Sequence, residues 1–398
     1  MSPASRDRIH IASPAAPEAL KAHLRANQQI PDGLGGTPIN ILVDEFLSRG
    51  FPVVVYTLSA QVHEPVMLEG DRLRVHVGPY RARPRDRALD FFHAERRFLE
   101  QAIRTEAPAF VHAHWSYEFA LAALAAAPKA LVSAHDAPLN ILRAQPDTYR
   151  IIRTGMAYRA LRKATYVTAV SPHVAGHLRK YRFVRAGCNI DCIPNGLPGA
   201  CFEDRGRDSG TGTTRFATIL NGWTKLKNAT SALQAFSMLR KAHPESTLLM
   251  FGEDYGISGK AESWARANEL HHGVQFRGRT AYEPLMDALR DEVDILVHPS
   301  REESQGMVLI EAMARGIPVI GGGQAGAVPW TLDEGRAGVL VDVDDPASIA
   351  SAMERLARDS ASRRSVGKAG FDSARSRFGI GAVADRYLEA YERVNRHE

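Results

Sequence analysis

At 398 residues the chain is longer than a single hydrophobic core ordinarily supports, so two domains of ordinary size are expected. An apolar content of 44% and a charged content of 24% are those of a soluble globular protein and exclude a disordered or fibrous chain. A net charge of +5 points to an anionic partner, while three cysteines, Cys188, Cys192 and Cys201, exclude a secreted disulfide framework and give no zinc-like spacing.

The opening stretch "MSPASRDRIHIASPAAPEAL" has no apolar signal-peptide core, and no apolar run approaches the roughly 20 residues that span a bilayer, so a cytoplasmic protein is expected. From there, short β-branched runs alternate with helical patterns. The predicted strands of the first half are "FPVVVYTL", "LRVHVG", "AFVHAH", "KALVSAH", "YVTAVS" and "NIDCIP". Such near-continuous apolar runs are buried on both faces, which predicts parallel α/β architecture. Between Arg143 and Arg185 stand ten basic residues against one acid, Asp147. That imbalance is either a solvated helix face or a surface for anionic lipid headgroups or a phosphorylated acceptor. A nucleic-acid reading lacks stacking aromatics and a binding motif.

"EDRGRDSGTGTT", residues 203–214, has nothing to bury and reads as the linker. The predicted strands of the second half are "RFATIL", "STLLMFG", "VQFRG", "DILVHPS", "IPVIGG" and "AGVLVD", and Val383, Tyr387, Leu388, Tyr391 and Val394 predict a closing amphipathic helix. The expected domains are therefore 1–202 with a returning helix 378–398, and 215–377. Two doubly wound sheets bind ligands at the carboxyl ends of their strands, in a cleft where the two face one another.

The most informative stretch is "HPSREESQGMVLIEAMARGIPVI". Strong helix formers, an apolar face and the stop at Gly316 and Pro318 predict a helix starting near Gln305 or Gly306. Its N-terminus follows a strand and points backbone N–H groups at the ligand, a geometry for phosphate or sugar hydroxyls. Eight helical residues would separate the backbones of Glu303 and Glu311 by roughly 12 Å, well beyond the roughly 5 Å between the carboxyls of a retaining glycosidase. The two acids therefore read as two grips along one extended ligand.

This stretch resembles the E-x7-E signature of glycosyltransferase family 4, the retaining nucleotide-sugar transferases of GT-B architecture. The resemblance implies that Glu303 holds the transferred hexose, Glu311 holds the ribose, and the backbone amides of Ser304, Gln305, Gly306 and Met307 contact the sugar. "PDGLGGTPINILVDEF" is similar to the family's glycine-rich first loop, with Gly35 and Gly36 near the diphosphate. "ALVSAHD" places His135 at the family's donor-side histidine, with Asp136 beside it to fix the tautomer or reach the acceptor; the neighbouring "HAHW" offers His114 as a second candidate. Ser171, Asn195 and Gly196 fall on the family's strand-end landmarks. "FATILNGWTKLKNATSALQAF" occupies the place of the family's diphosphate-binding Arg and Lys. Lys227 fits the lysine, whereas Asn221, Gly222 and Trp223 stand where the arginine would be, and Lys225 is the substitute the loop offers. "GGGQAGAVPWTL" lacks the usual acid, but Gly322, Gly323 and Gly326 permit a tight approach.

The resemblance thus implies a GT-B enzyme moving a hexose, with retention, from a UDP- or GDP-sugar to a saccharide or lipid-linked acceptor in cell-surface polysaccharide or glycolipid synthesis. It needs no metal or cofactor, and its catalytic residues are His135, Asp136, Glu303 and Lys227. Lacking a carboxylate nucleophile, it would react by front-face displacement. A sugar-nucleotide 2-epimerase of the same architecture, or a donor-binding homologue without turnover, is the alternative. Peripheral contact with an anionic membrane on the cytoplasmic face is a further expectation.

Overall fold

A computed structural model describes residues 8–206 and 213–396 of the chain. Contacts divide the chain into two compact units, Met1–Gly196 with Ile380–Glu398, and Leu197–Gly379. Each is an α/β layer structure built on a parallel sheet, the fold class the strand and helix pattern predicts.

The first unit contains β1 (Ile9–Ala12), β2 (Val53–Ser59), β3 (Val66–Glu69), β4 (Leu73–Pro79), β5 (Phe110–His114), β6 (Lys129–Ala134), β7 (Tyr166–Ala169) and β8 (Ile190–Cys192). Their order is β3-β4-β2-β1-β5-β6-β7-β8, and every pairing is parallel except that of β3 with β4. All seven residues of β2 are buried, because core clusters cover both faces of the sheet. Two strands are not expected from sequence. β1 is central yet only four residues long, set between charged and proline-rich segments that hide its period. β3 is a short antiparallel edge with Val66 and Met67 exposed.

The closing helix forms as expected, over Ile380–Arg396, and belongs to the first unit. It buries Val383, Tyr387, Tyr391 and Val394 there, and the Tyr391 hydroxyl lies 2.7 Å from His112 Nδ1. Leu388 is only partly buried at its flank.

The second unit contains β9 (Arg215–Ile219), β10 (Thr247–Phe251), β11 (Val274–Gly278), β12 (Ile295–His298), β13 (Val319–Gly322) and β14 (Val339–Val341), in the order β11-β10-β9-β12-β13-β14, all parallel. Of the stretch expected to be the linker, 207–212 lies outside the described residues. The residues before it are already packed: Leu197 is fully buried and its N–H donates to Phe378 O at 2.8 Å, Gly206 N–H donates to Arg315 O at 2.8 Å, and the Arg205 guanidinium lies 3.3 Å from the Phe371 ring centroid. The units accordingly divide at Gly196 and Leu197.

Candidate active site

In the second unit the chemistry gathers where β12 ends. The helix Met307–Ala314 starts after Gly306, within the predicted window. Gly306 has φ 81°, a left-handed conformation that strains any side chain, and an added Cβ would sit 2.8 Å from Leu309 Cδ1. Ser304 and Gln305 form the turn into the helix, and Gln305 O accepts a 2.6 Å bond from Thr331 Oγ1. Glu303 lies just before that turn. Its Oε1 accepts from Lys227 Nζ at 2.6 Å and from His298 Nε2 at 3.1 Å. Burial works against a charged carboxylate here, but the hydrogen bond and charge of His298, then those of Lys227, outweigh it and hold Glu303 at a pKa of about 2. An acceptor-only carboxylate requires that His298 carry its proton on Nε2.

Lys227 reaches Glu303 from the loop between β9 and the helix Ala229–Arg240. That loop is fixed from several sides. Trp223 N–H donates to Asp254 Oδ2 at 3.0 Å, Asn228 Nδ2 donates to Val343 O at 2.7 Å, and Arg301 N–H donates to Leu226 O at 2.8 Å. The Arg301 guanidinium bonds the Lys225 carbonyl and Asp344. Asn221 and the Lys225 side chain are exposed, so of the two lysines only Lys227 is bonded to Glu303.

Glu311 sits inside the helix, which is buried on every side from Leu309 to Ala314. Burial raises its pKa to about 7, against the weaker pull of the nearby Tyr282 hydroxyl and the Arg315 charge. The Tyr282 oxygen approaches without forming a hydrogen bond. Gly326 has a function different from the expected open approach. Its added Cβ would lie 2.4 Å from Glu303 O, and Ala327 N–H donates to that carbonyl at 2.8 Å, so the glycine lets the chain close against Glu303 itself.

In the first unit, His135 lies just beyond β6 and Asp136 follows it. The expectation that Asp136 fixes the His135 tautomer does not hold: His135 Nε2 lies 2.9 Å from His114 Nδ1, and Asp136 Oδ2 accepts instead from Tyr117 at 2.7 Å. The backbone turns Asp136 into a cavity of about 190 Å³ lined by Tyr117, Tyr149, Arg150 and Arg153. Arg153 lies 3.7 Å from the Tyr117 ring centroid and pairs with Glu118 at 3.2 Å. Burial raises the Asp136 pKa, and the Tyr117 bond and Arg153 charge oppose it.

The Trp115 ring stacks on His135, centroids 4.2 Å apart, from a left-handed backbone at φ 64°. His112 and His114 are fully buried, and their ring centroids lie 3.9 Å apart. Desolvation depresses all three histidines, His112 and His114 well below the ordinary range and His135 to about 3, so all are neutral at physiological pH. Gly35 and Gly36 have φ 86° and 81°, and Gly36 caps the helix Thr37–Ser48. A Cβ at Gly36 would meet Pro14 O at 2.1 Å, whereas at Gly35 it would meet open space. Ser171 is a helix cap, accepting from Val174 N–H.

Lys227, Glu303 and His298 are thus brought together, with Glu311 further along the same helix. His298 and Arg301 do not stand out in the sequence, although both flank the E-x7-E motif; a histidine as the last residue of a strand is the available signal. Trp115, Tyr117 and Arg153 are legible there only as an aromatic pair and a basic residue.

The chain matches the family "Glycosyltransferase Family 4" over residues 39–198 and "Glycosyl transferases group 1" over residues 208–373. Its fold is that of the GT-B glycosyltransferases. It superposes on sucrose-phosphate synthase from Thermosynechococcus elongatus with a TM-score of 0.76 at 20% identity, covering 98% of this chain and 100% of that one. For Anabaena HepE, solved in complex with UDP and glucose, the TM-score is 0.69 at 16% identity, covering 96% and 99%. The chain belongs to glycosyltransferase family 4.

Among relatives, a D-inositol 3-phosphate glycosyltransferase of Corynebacterium kroppenstedtii is 36% identical over 42% of this chain. This chain's match spans only 38% of that protein's length. An N-acetyl-alpha-D-glucosaminyl L-malate synthase of Bacillus anthracis is 22% identical over 72% of this chain and 75% of its own.

Proposed function

We propose that the protein transfers a hexose, with retention, from a UDP- or GDP-sugar to a saccharide or lipid-linked acceptor in the cytoplasm, serving cell-surface polysaccharide or glycolipid synthesis. The observation that carries this reading is the Lys227–Glu303–His298 cluster at the mouth of a helix that also contains Glu311. Glu303 is charged and acceptor-only, so it suits the hydroxyls of the transferred hexose. Glu311, desolvated and poised near neutrality, suits the ribose hydroxyls, whose donated hydrogen bonds would favour its ionised form. Ser304, Gln305, Gly306 and Met307 place the helix N-terminus against the sugar.

Lys227, with Lys225 and Asn221 in the same loop, meets the departing diphosphate. The required positive charge comes from these groups, so the reading calls for no metal. No carboxylate is placed as a nucleophile in this scheme; the leaving phosphate takes the acceptor proton in a front-face displacement. His135, neutral, donates to a sugar hydroxyl, and Asp136 accepts from the acceptor. The likeness to HepE, solved in complex with UDP and glucose, supports a UDP-sugar donor.

The test is thermal stabilisation by a panel of nucleotide sugars, followed by NMR of the product's anomeric configuration. Stabilisation by one donor and retention in the product are expected; inversion would refute the mechanism, and no stabilising nucleotide would refute the donor site. A second reading is favoured by one observation, the Asn221-Gly222-Trp223 sequence where the family has an arginine: a 2-epimerase or a homologue without turnover. Incubating the donor alone separates these, because an epimerase yields an epimer without any acceptor and a non-enzymatic homologue binds without consuming it.

A further inference from the structure

The basic stretch singled out in the sequence spans three helices of the first unit, of which Thr148–Lys163 is the longest. Its inner face buries Met156, Ala157, Ala160 and Leu161. The opposite face presents Ile151, Gly155, Tyr158 and Arg162, at the spacing of one helical stripe, and all four are exposed. Ile151 is 59% and Tyr158 46% accessible, high for an aliphatic and an aromatic side chain on a helix that packs well elsewhere. No atom lies within 4 Å of where a Gly155 Cβ would be, so nothing in the unit covers the middle of the stripe.

At the C-terminal end of the same helix lies a shallow depression of about 700 Å³ lined by Arg162, Arg179, Arg182 and Arg185 and by the Ala186–Asn189 turn. Among the described residues none of these four arginines has an ion-pair partner, and no acidic residue lines the depression. Arg162 and Arg179 occupy the last turns of their helices, where cations complement the helix dipole, and the Arg185 guanidinium donates to the Arg162 carbonyl at 2.8 Å and so caps the same helix end, but Arg182 lies beyond both helices and that account does not cover it. Four neighbouring guanidiniums without a carboxylate partner repel one another, and a polyanion relieves the repulsion.

We propose that this face, the Ile151–Gly155–Tyr158–Arg162 stripe together with the arginine depression, docks the protein on a membrane carrying anionic phospholipids. The combination selects a bilayer surface. An aliphatic and a tyrosine side chain settle at headgroup depth, and arginines at the end of the same helix pair with headgroup phosphates. A free phosphate would engage the arginines and leave the apolar stripe unused. No helix of the described residues is long and apolar enough to cross a membrane. The arrangement also gives the helix two faces with two tasks, since Tyr149 and Arg153 line the cavity that holds Asp136 while Ile151 and Tyr158 point the other way.

The experiment is co-sedimentation of the full-length protein with phosphatidylcholine vesicles, with and without phosphatidylglycerol, at low and high salt. Binding is expected only with the anionic lipid and is expected to weaken with salt. Arg179→Glu with Arg182→Glu should weaken it by about thirtyfold or more, since each basic residue near such a surface contributes about fivefold. Ile151→Ser with Tyr158→Ser should weaken it several-fold at unchanged charge. A control of equal charge change on the second unit, Lys241→Glu with Arg358→Glu, should leave it nearly intact. All these positions are exposed, so folding is retained and is checked by circular dichroism.

Absence of sedimentation at low salt overturns the proposal. So does loss of binding by the control as large as that of the arginine pair, which would mean net charge alone. Stabilisation by inorganic pyrophosphate without vesicle binding would assign the depression to a soluble phosphate and likewise overturn it. Nucleotide-induced stabilisation is read in parallel, and its persistence in every variant keeps failure here distinct from failure of the donor site.

Discussion

The carboxyl edges of the two sheets treat buried charge in opposite ways. In the first unit three histidines are packed against one another and under Trp115, and desolvation leaves them neutral. In the second unit Glu303 is comparably desolvated but remains ionised, because His298 and Lys227 bond the same oxygen. Burial therefore discharges a group that has no opposite charge to meet and sharpens one that does. In the proposed reaction the charged edge would suit a departing diphosphate and the neutral edge the orientation of hydroxyls.

The largest effect that would break this comparison is acid lability confined to one unit. Each depressed histidine binds its proton in the unfolded chain but not in the folded one, so the stability it leaves intact above the ordinary histidine pKa of 6.5 is lost as pH falls below that value. At pH 5 the loss from His135, whose pKa is about 3, is about 2 kcal/mol, and His112 and His114 act in the same direction. Glu303 acts only lower, since its folded pKa is depressed: its stabilisation is complete above about 4.5 and is lost towards 2. Hydrogen exchange at pH 5 and 7.5 should therefore show β5 and β6 opening first while β12 stays protected. Equal opening of both sheets would mean that the histidines are not the weak point.

The next effect is on turnover. Lys227→Met removes the cation bonded to Glu303, and if that cation also meets the leaving group as proposed, kcat/KM should fall a hundredfold to a thousandfold, the range for losing one preorganised charge contact. A fall below tenfold would place the diphosphate contacts elsewhere in the loop.

Much of this is legible in the amino-acid sequence. Glu303, Gly306 and Glu311 stand out because a strand, a turn and a helix of known period fix their places, and the helix begins where the period predicts. Two things are hidden. The central strand β1 is four residues long and pairs on both sides, so its burial comes from neighbours distant in sequence and leaves no local period. The partners of His135 and Asp136 are hidden for the same reason. His135 and Asp136 follow the end of β6, beside the end of β5, so His135 meets His114 and Asp136 meets Tyr117, contacts set by neighbouring strand ends and not by the local sequence. Gly36 and Gly326 show the limit of reading glycines as ligand approaches, since both are required by the chain's own backbone.

A smaller effect sharpens the contrast within the second unit. Glu311 has a folded pKa of about 7 against an ordinary 4.5, so the folded chain binds the extra proton between those values and stability falls as pH rises through that window. Glu311→Gln should remove that dependence and stabilise the unliganded protein at pH 8 by about 3 kcal/mol, while weakening UDP binding. Thermal melts of both proteins across pH 5 to 8 check it. Parallel curves would show that Glu311 is ionised throughout and solvated by groups other than Tyr282 and Arg315.

The smallest predicted effect decides which lysine carries the charge. Lys225 is exposed and its carbonyl, not its ammonium, is tied into the fold by Arg301. An exposed ammonium is screened and loses side-chain entropy on ordering, so Lys225→Met should lower kcat/KM by less than tenfold, and high salt should erase most of the difference. Lys227, already bonded to Glu303 and only 23% accessible, should keep its effect in salt. If Lys225→Met instead matched Lys227→Met and resisted salt, the loop must reorder on binding donor, bringing Lys225 into the place that Asn221-Gly222-Trp223 leaves without an arginine. The neutral edge of the first unit would then contrast with a second unit whose charge is assembled by the ligand and not held ready by the fold.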